Sequence, residues 1–441
     1  MALISASRTL LIVSSLLWTT FAVTPTNEAC THLPISTAPV PPLPPSKDPF
    51  YTAPSGYEVA SPGAVLRVRT APGLAEGISN CSAAYNILYR TTDSNYKPSW
   101  AVTTLLVPES MATGLTANST IVSSGSTLLS YQVSYDSASV DMSPSYTFYN
   151  GSIVDPPIPM ALGLGWFVNL PDYEGPLASF TAGVQSGHAT IDSLRAVLSP
   201  GFGLKSNAKY ALWGYSGGAL ASEWAAELQV QYAPELNISG IAVGGLTPNT
   251  TSVLGAVNSS PFMETAVNGL LGMASQDAAF EQYLISQLKT SGTYNATTFF
   301  AARKQNTTVD QVVFANQNVF DYFTSGDSFL QSPIVTARIY RDGFMGYHGV
   351  PSMPVFAYKA INDELSPVAD TDILVERYCA VGANILYRRN TEGGHLAEYI
   401  NEEANAFAFL SAVLDGSYAS KYQTVGCMIK NVTVAIDTSP Q

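Results

Sequence analysis

Short runs of branched and aromatic residues recur along most of the chain, at 100–107, 127–133, 165–170, 210–213, 238–243, 355–359 and 384–387. Their length and the turn residues around them predict strands. Between several of them, 182–198 and 217–232 repeat apolar residues at three- and four-residue spacing, which predicts helices with one buried face. Strands alternating with helices of this length predict an α/β fold, a mostly parallel sheet flanked by helices on both faces. The alternation fades between 247 and 346, where Asn, Thr, Ser, Gly and Gln dominate and a helical pattern such as 277–288 has no partner strand. That stretch is expected to be an inserted, mainly helical cap, dividing the core into 48–246 and 347–441. Its apolar pieces, among them Val253-Leu254, Leu270-Leu271-Gly272-Met273 and Phe299-Phe300, face a substrate or form the cap's own core.

Two segments precede the core. Residues 1–22 join one cation, Arg8, to an apolar run over 10–18 and small residues at Thr20 and Ala22, the layout of a secretory signal peptide. The run is about half of the roughly 20 residues needed to span a bilayer. Residues 23–47 form a Pro-rich lead-in, in which Pro39, Pro41, Pro42, Pro44 and Pro45 favour an extended, polyproline-like path.

Composition narrows the setting. Of 441 residues 46% are hydrophobic and only 12% charged, against roughly 25% charged in ordinary soluble domains. Twenty basic residues stand against 33 acidic ones, net −13, and no Lys/Arg-rich run occurs. Phosphate binding needs clustered positive charge, so no nucleic-acid partner is expected. Glycosylation acceptors occur at Asn80, Asn118, Asn150, Asn237, Asn249, Asn258, Asn295, Asn306 and Asn431. In so charge-poor a chain, sugars are expected to supply solubility to a secreted, extracellular product. The cysteines Cys30, Cys81, Cys379 and Cys427 allow three pairings; Cys379 with Cys427 and Cys30 with Cys81 is the preferred one. Without a C-x-x-C motif, no metal site is expected of them.

The sharpest chemical signal is Gly214-Tyr215-Ser216-Gly217-Gly218, set between a strand-like and a helix-like stretch. That context makes it a nucleophile elbow: a tight turn exposes the serine hydroxyl and leaves room only for small residues on either side. A serine needs a base, and the chain has four histidines. His32 lies in the lead-in, His188 precedes the serine on a helical stretch, and His348 sits in a turn at the cap's exit. His395, in a Gly-rich loop after the 384–387 strand, is the best base. The third member should be an acid following a strand between serine and histidine. Asp363 after 355–359 is the choice, with Glu364 competing and Asp370 and Asp372 farther away. The Gly217 N–H is one expected oxyanion donor, and 130–137 is the expected source of a second. If Asp136 takes part, a bare carboxylate would repel an oxyanion, so it should offer its N–H or a protonated side chain.

Taken together, Tyr89-Arg90-Thr91-Thr92, Ser130-Tyr131-Gln132-Val133, Asp172-Tyr173-Glu174-Gly175, the elbow, Tyr232-Ala233-Pro234-Glu235-Leu236 and Asp363-Glu364 resemble the fungal secretory lipase family, from about Asp48 to Cys427. That family includes lipase A-type enzymes and trichothecene C-3 esterase-like deacetylases. The resemblance implies an α/β-hydrolase fold, with Ser216, Asp363 and His395 catalytic and Asp136 joining Gly217 at the oxyanion. It also implies that the Asp172–Gly175 loop lines or supports the site. The chain departs at Asp141-Met142, where lipase A-type members carry a cysteine, and it stops at Gln441, short of their flap-forming extension. The expected activity is ester hydrolysis with no cofactor, on acylglycerols first and on acetylated secondary metabolites as the alternative. The expected partner is a small-molecule ester or lipid, with a lipid–water interface as one setting and no obligate protein partner. The rival class is a hydrolase-fold protein that binds without catalysis.

Overall fold

Alternation along the strands sends one set of side chains to each face of a single sheet. In the computed structural model, which describes residues 35–109, 125–150 and 154–436, eleven strands join that sheet. They are β1 (Ile35–Thr37), β2 (Val65–Thr70), β3 (Cys81–Thr92), β4 (Pro98–Pro108), β5 (Thr127–Gln132) and β6 (Phe167–Pro171), followed by β7 (Lys209–Tyr215), β8 (Ile241–Gly244), β9 (Val355–Ala360), β10 (Ile385–Asn390) and β11 (Cys427–Val432). Their spatial order is β1-β2-β3-β4-β6-β5-β7-β8-β9-β10-β11. From β6 to β11 every pairing is parallel, while β2, β3, β4 and β6 pair antiparallel. Strand β7 lies at the centre, with Leu212 opposite Ser130 on β5 and Ile241 on β8.

Period two is plain in β7. Tyr210 and Leu212 pack on one face with Val184, Leu220 and Trp224, from the helices Gly183–Val197 and Gly217–Tyr232. Ala211, Trp213 and Tyr215 pack on the other with Phe409, Leu410 and Val413 of the helix Glu403–Asp415. Burying a side chain such as Leu212 or Leu410 completely contributes about 1.5–3 kcal/mol. A mostly parallel sheet covered by helices on both faces is the α/β class expected.

Three outer strands, β1, β2 and β11, and the long β3 have no counterpart among the apolar runs. In β3 the buried residues include Asn86, Arg90, Thr91 and Thr92, so the hydrophobic pattern is broken. Their partners lie elsewhere: Arg69 Nε donates to Asn86 Oδ1, Asn86 Nδ2 to Thr104 Oγ1, and Thr91 Oγ1 to Asp192 Oδ2. Ordered structure also begins before 48, because Ile35–Thr37 pairs with Val68–Thr70. The lead-in is further tied down where Ser46 N donates to Asp141 Oδ1 at 2.8 Å.

Helices between Thr250 and Asp342 build a second core of their own, centred on Phe280, Phe299, Phe314, Tyr322 and Phe329. Leu271 and Phe299 belong wholly to it, whereas Val253, Leu254, Leu270 and Met273 also reach a cavity described below. Asn249, Asn295 and Asn306 are helix N-caps whose side-chain oxygens accept backbone N–H bonds. The amide nitrogen that a glycan would occupy is not the capping atom. Asn80, Asn237 and Asn431 are exposed, and Asn118 lies outside the described residues, as do the signal segment, Cys30 and His32.

One disulfide, Cys379–Cys427, ties the helix Val368–Ala380 to the edge strand β11 across 48 residues. Among the described residues Cys81, buried on β3, has no disulfide partner and burial pushes its thiol up to about 11; its expected partner Cys30 lies outside them. Closing a loop of this length constrains the unfolded chain by about 4 kcal/mol. Replacing Cys379 and Cys427 together by Ser is therefore expected to lower the thermal unfolding midpoint by several degrees, read by circular dichroism.

Candidate active site

Strand β7 ends at Tyr215, the helix begins at Gly217, and Ser216 sits between them at φ 51°, ψ −120°. A non-glycine residue rarely takes positive φ, and the strain is held by close approach on both sides. A Cβ on Gly214 would lie 2.1 Å from the Gly218 carbonyl oxygen, and one on Gly218 would lie 1.9 Å from that of Gln132. The turn therefore tolerates only glycine at these positions. Ser216 N donates to the Gly244 carbonyl at 2.9 Å, fixing the elbow to β8, and the Gly218 N–H donates to Ser134 Oγ.

His395, the first residue of the helix His395–Asn401, presents Nε2 to Ser216 Oγ at 2.8 Å and Nδ1 to Asp363 Oδ2 at 2.7 Å. With the proton on Nδ1 facing the carboxylate, Nε2 is free to accept from the serine hydroxyl. The ring is held at its backbone: Tyr215 Oη donates to the His395 carbonyl at 2.5 Å, and His395 N donates to Glu364 Oε2 at 2.8 Å. Glu364 thus contacts the histidine backbone while Asp363 contacts the ring. Asp372 accepts from Tyr387 Oη and pairs with Arg389, away from the imidazole.

Asp363 follows β9 and is buried. Besides His395 it accepts from Leu365 N at 3.0 Å, Ser366 N at 2.8 Å and Lys359 Nζ at 2.9 Å. Burial alone would push its carboxyl up; the His395 hydrogen bond, the Lys359 ammonium and the Ser366 N–H outweigh it and hold the acid at about 2. It is a carboxylate at any working pH. Lys359, a fully buried residue of β9, was not singled out from the sequence. Its one sequence signal is a lysine inside an otherwise apolar strand, Val355-Phe356-Ala357-Tyr358-Lys359-Ala360.

The other histidines lie apart from this run. His188 is buried between the rings of Tyr96 and Tyr232, and burial depresses its pKa to about 3. His348 sits where the chain leaves the cap helices, and its backbone N–H donates to Glu227.

Asp136 follows β5 at φ 42° with its carboxyl against Gly217, where an added Cβ would lie 1.8 Å from Oδ1. That oxygen has no hydrogen-bond partner among the described residues. Burial raises the carboxyl to about 7; its own backbone N–H works against this and nearby Glu264 adds to it. Tyr173 Oη donates to the Val133 carbonyl at 2.8 Å and Glu174 N to Tyr135 Oη at 2.7 Å, so the Asp172–Gly175 loop supports the Asp136 loop from behind. From the cap, Asn268 Oδ1 accepts from Ala138 N at 2.8 Å.

Ser216, Gly217 and Asp136 open on a cavity between core and cap. Its wall is mostly apolar, including Leu220, Val253, Leu254, Leu270, Met273 and Ile339, with Thr181, Thr247, Thr250, Thr251 and Thr265 among the polar residues. Among the described residues, no group of His, Cys, Asp and Glu side chains is arranged to hold a metal, and no helix is long and apolar enough to cross a membrane.

The secretory lipase family profile matches residues 153–421. A trichothecene C-3 esterase of Fusarium sporotrichioides is 51% identical over 89% of this chain and 88% of its own. Lipase A of Arthroderma benhamiae is 35% identical over 90% of this chain and 84% of its own. Among solved structures, Candida antarctica lipase A in its closed state superposes with a TM-score of 0.76 at 27% identity, covering 90% of this chain and 92% of that one. By sequence and by fold, this chain belongs to the secretory lipase family and is a carboxylic ester hydrolase.

Proposed function

We propose that this enzyme hydrolyses its esters through an acyl-enzyme on Ser216, with His395 as base and Asp363 as the acid that orients it. The observation that carries the reading is the unbroken hydrogen-bonded run from Asp363 through His395 to Ser216, opening on the cap cavity. Ser216 Oγ attacks the ester carbonyl while its proton passes to His395 Nε2, and the ionised Asp363 stabilises the imidazolium. The imidazolium then protonates the leaving alcohol. Water, deprotonated by the same nitrogen, releases the acid and restores the serine.

The developing oxyanion needs two donors. Gly217 N–H is one and the Asp136 carboxyl is the other. With a carboxyl raised to about 7, Asp136 is a neutral donor below that pH and a repelling anion above it. The same reading makes the protein a secreted enzyme, in keeping with its family.

Two substrate readings remain within this chemistry. Long-chain acylglycerols suit the apolar wall. Short acyl esters of an oxygenated, bulky alcohol suit the threonine hydroxyls, and Thr247 Oγ1 is buried there without a partner among the described residues. The 51% identity to an esterase named for trichothecenes, against 35% to a lipase, favours the second.

Ser216→Ala is expected to keep the fold and lose at least about 10⁴-fold in kcat/KM on a p-nitrophenyl ester. Across p-nitrophenyl acetate to palmitate, the favoured reading predicts the highest kcat/KM at acetate with no gain above the aggregation point; a rise with chain length would return the lipase reading. For Asp136, kcat/KM of the wild type should fall above about pH 7, whereas Asp136→Asn, neutral throughout, should show no such fall between pH 7 and about 9.

A further inference from the structure

Lys359 puts a fully buried cation beside the acid of the hydrolytic site. Its ammonium donates to Asp363 Oδ2 at 2.9 Å, the same oxygen that faces His395 Nδ1, and to the Leu246 carbonyl at 2.7 Å. Leu246 follows β8 and precedes Thr247 of the cavity wall; its carbonyl also accepts from Ser366 Oγ at 2.9 Å. Two loops that meet at the site are thus joined through the Lys359 and Ser366 side chains. An isolated buried ammonium would be costly, and this one is retained against a carboxylate.

We infer that Lys359 is a positioning residue: its buried ammonium locks Asp363 to the loop after β8 and offsets part of the carboxylate's charge, so that the enzyme keeps its rate to lower pH. The inference rests on the triad reading above. The titratable groups facing the Asp363–His395 pair are Lys359 on β9, Glu364 on the loop after it, Tyr215 on β7 and Glu398 on His395's own helix, while Asp370 faces Lys359 from the helix Val368–Ala380. Of these, Lys359 alone supplies positive charge. Burial pulls the lysine's pKa down and Asp363 works against that pull, while Asp363 is itself held low partly by the lysine. Removing the cation therefore raises the proton affinity of the Asp363–His395 pair, whichever partner takes the proton.

The test is the pH profile of kcat/KM on p-nitrophenyl acetate for the wild type, Lys359→Met, Lys359→Gln and Lys359→Arg, each checked for native circular dichroism. Lys359→Gln keeps a donor for the Leu246 carbonyl and so guards against loss of fold. The acid limb is expected to move up by about one to two pH units in the Met and Gln variants and to stay in place in Lys359→Arg. An acid limb within about 0.3 units of wild type in both neutral variants, with only a pH-independent fall in rate, would overturn the inference. Ser216→Ala runs alongside: turnover persisting in that variant would instead overturn the triad reading.

Discussion

A carboxylate must stay ionised where little water reaches it, and the catalytic end of this molecule is arranged around that requirement. Asp363 meets it with four donors: an imidazole, an ammonium and two backbone N–H groups. Those donors come from different places. His395 arrives at the start of the helix after β10, Lys359 points in from β9, and the N–H groups belong to the turn that Asp363 itself begins. The parallel pairing of β8, β9 and β10 brings these pieces to one edge of the sheet. The strained serine at the end of β7 is then within reach of the imidazole without any movement of the core.

The loop that carries Asp136 is built by a different logic. Asp136 is held from behind by Tyr173 and Glu174, and from the cap by Asn268 through Ala138. The cap therefore does more than wall the cavity, since one of its helices fixes the loop that carries Asp136. One helix, Glu264–Ser275, serves both places: Leu270 and Met273 line the cavity while Asn268 pins the Asp136 loop.

Much of this was legible in the sequence because the informative residues announce themselves locally. The elbow needs small residues at fixed offsets, histidines are scarce enough to eliminate one by one, and each of strands β4 to β10 overlaps one of the apolar runs. What was hidden is polar and non-local. Asn86 and Thr91 read as surface residues until their partners on β4 and on helix Gly183–Val197 are known, as does Thr92 until it meets Tyr232 of helix Gly217–Tyr232. Lys359 reads as a solvated end of a strand, because only the fold reveals that it meets Asp363 and Leu246. The cap's apolar pieces split as no pattern could foretell, Phe299 inward and Leu270 toward both its own core and the cavity.

The central claim is that the buried run from Asp363 to Ser216 makes that one hydroxyl a nucleophile, and covalent labelling by a fluorophosphonate reads this without assuming a substrate. Followed by intact mass and peptide mapping, the wild type should take one adduct, on Ser216, and Asp363→Asn should label roughly 10³–10⁴-fold more slowly with its fold intact. Labelling at another residue, or equal rates for the wild type and Asp363→Asn, would contradict the account.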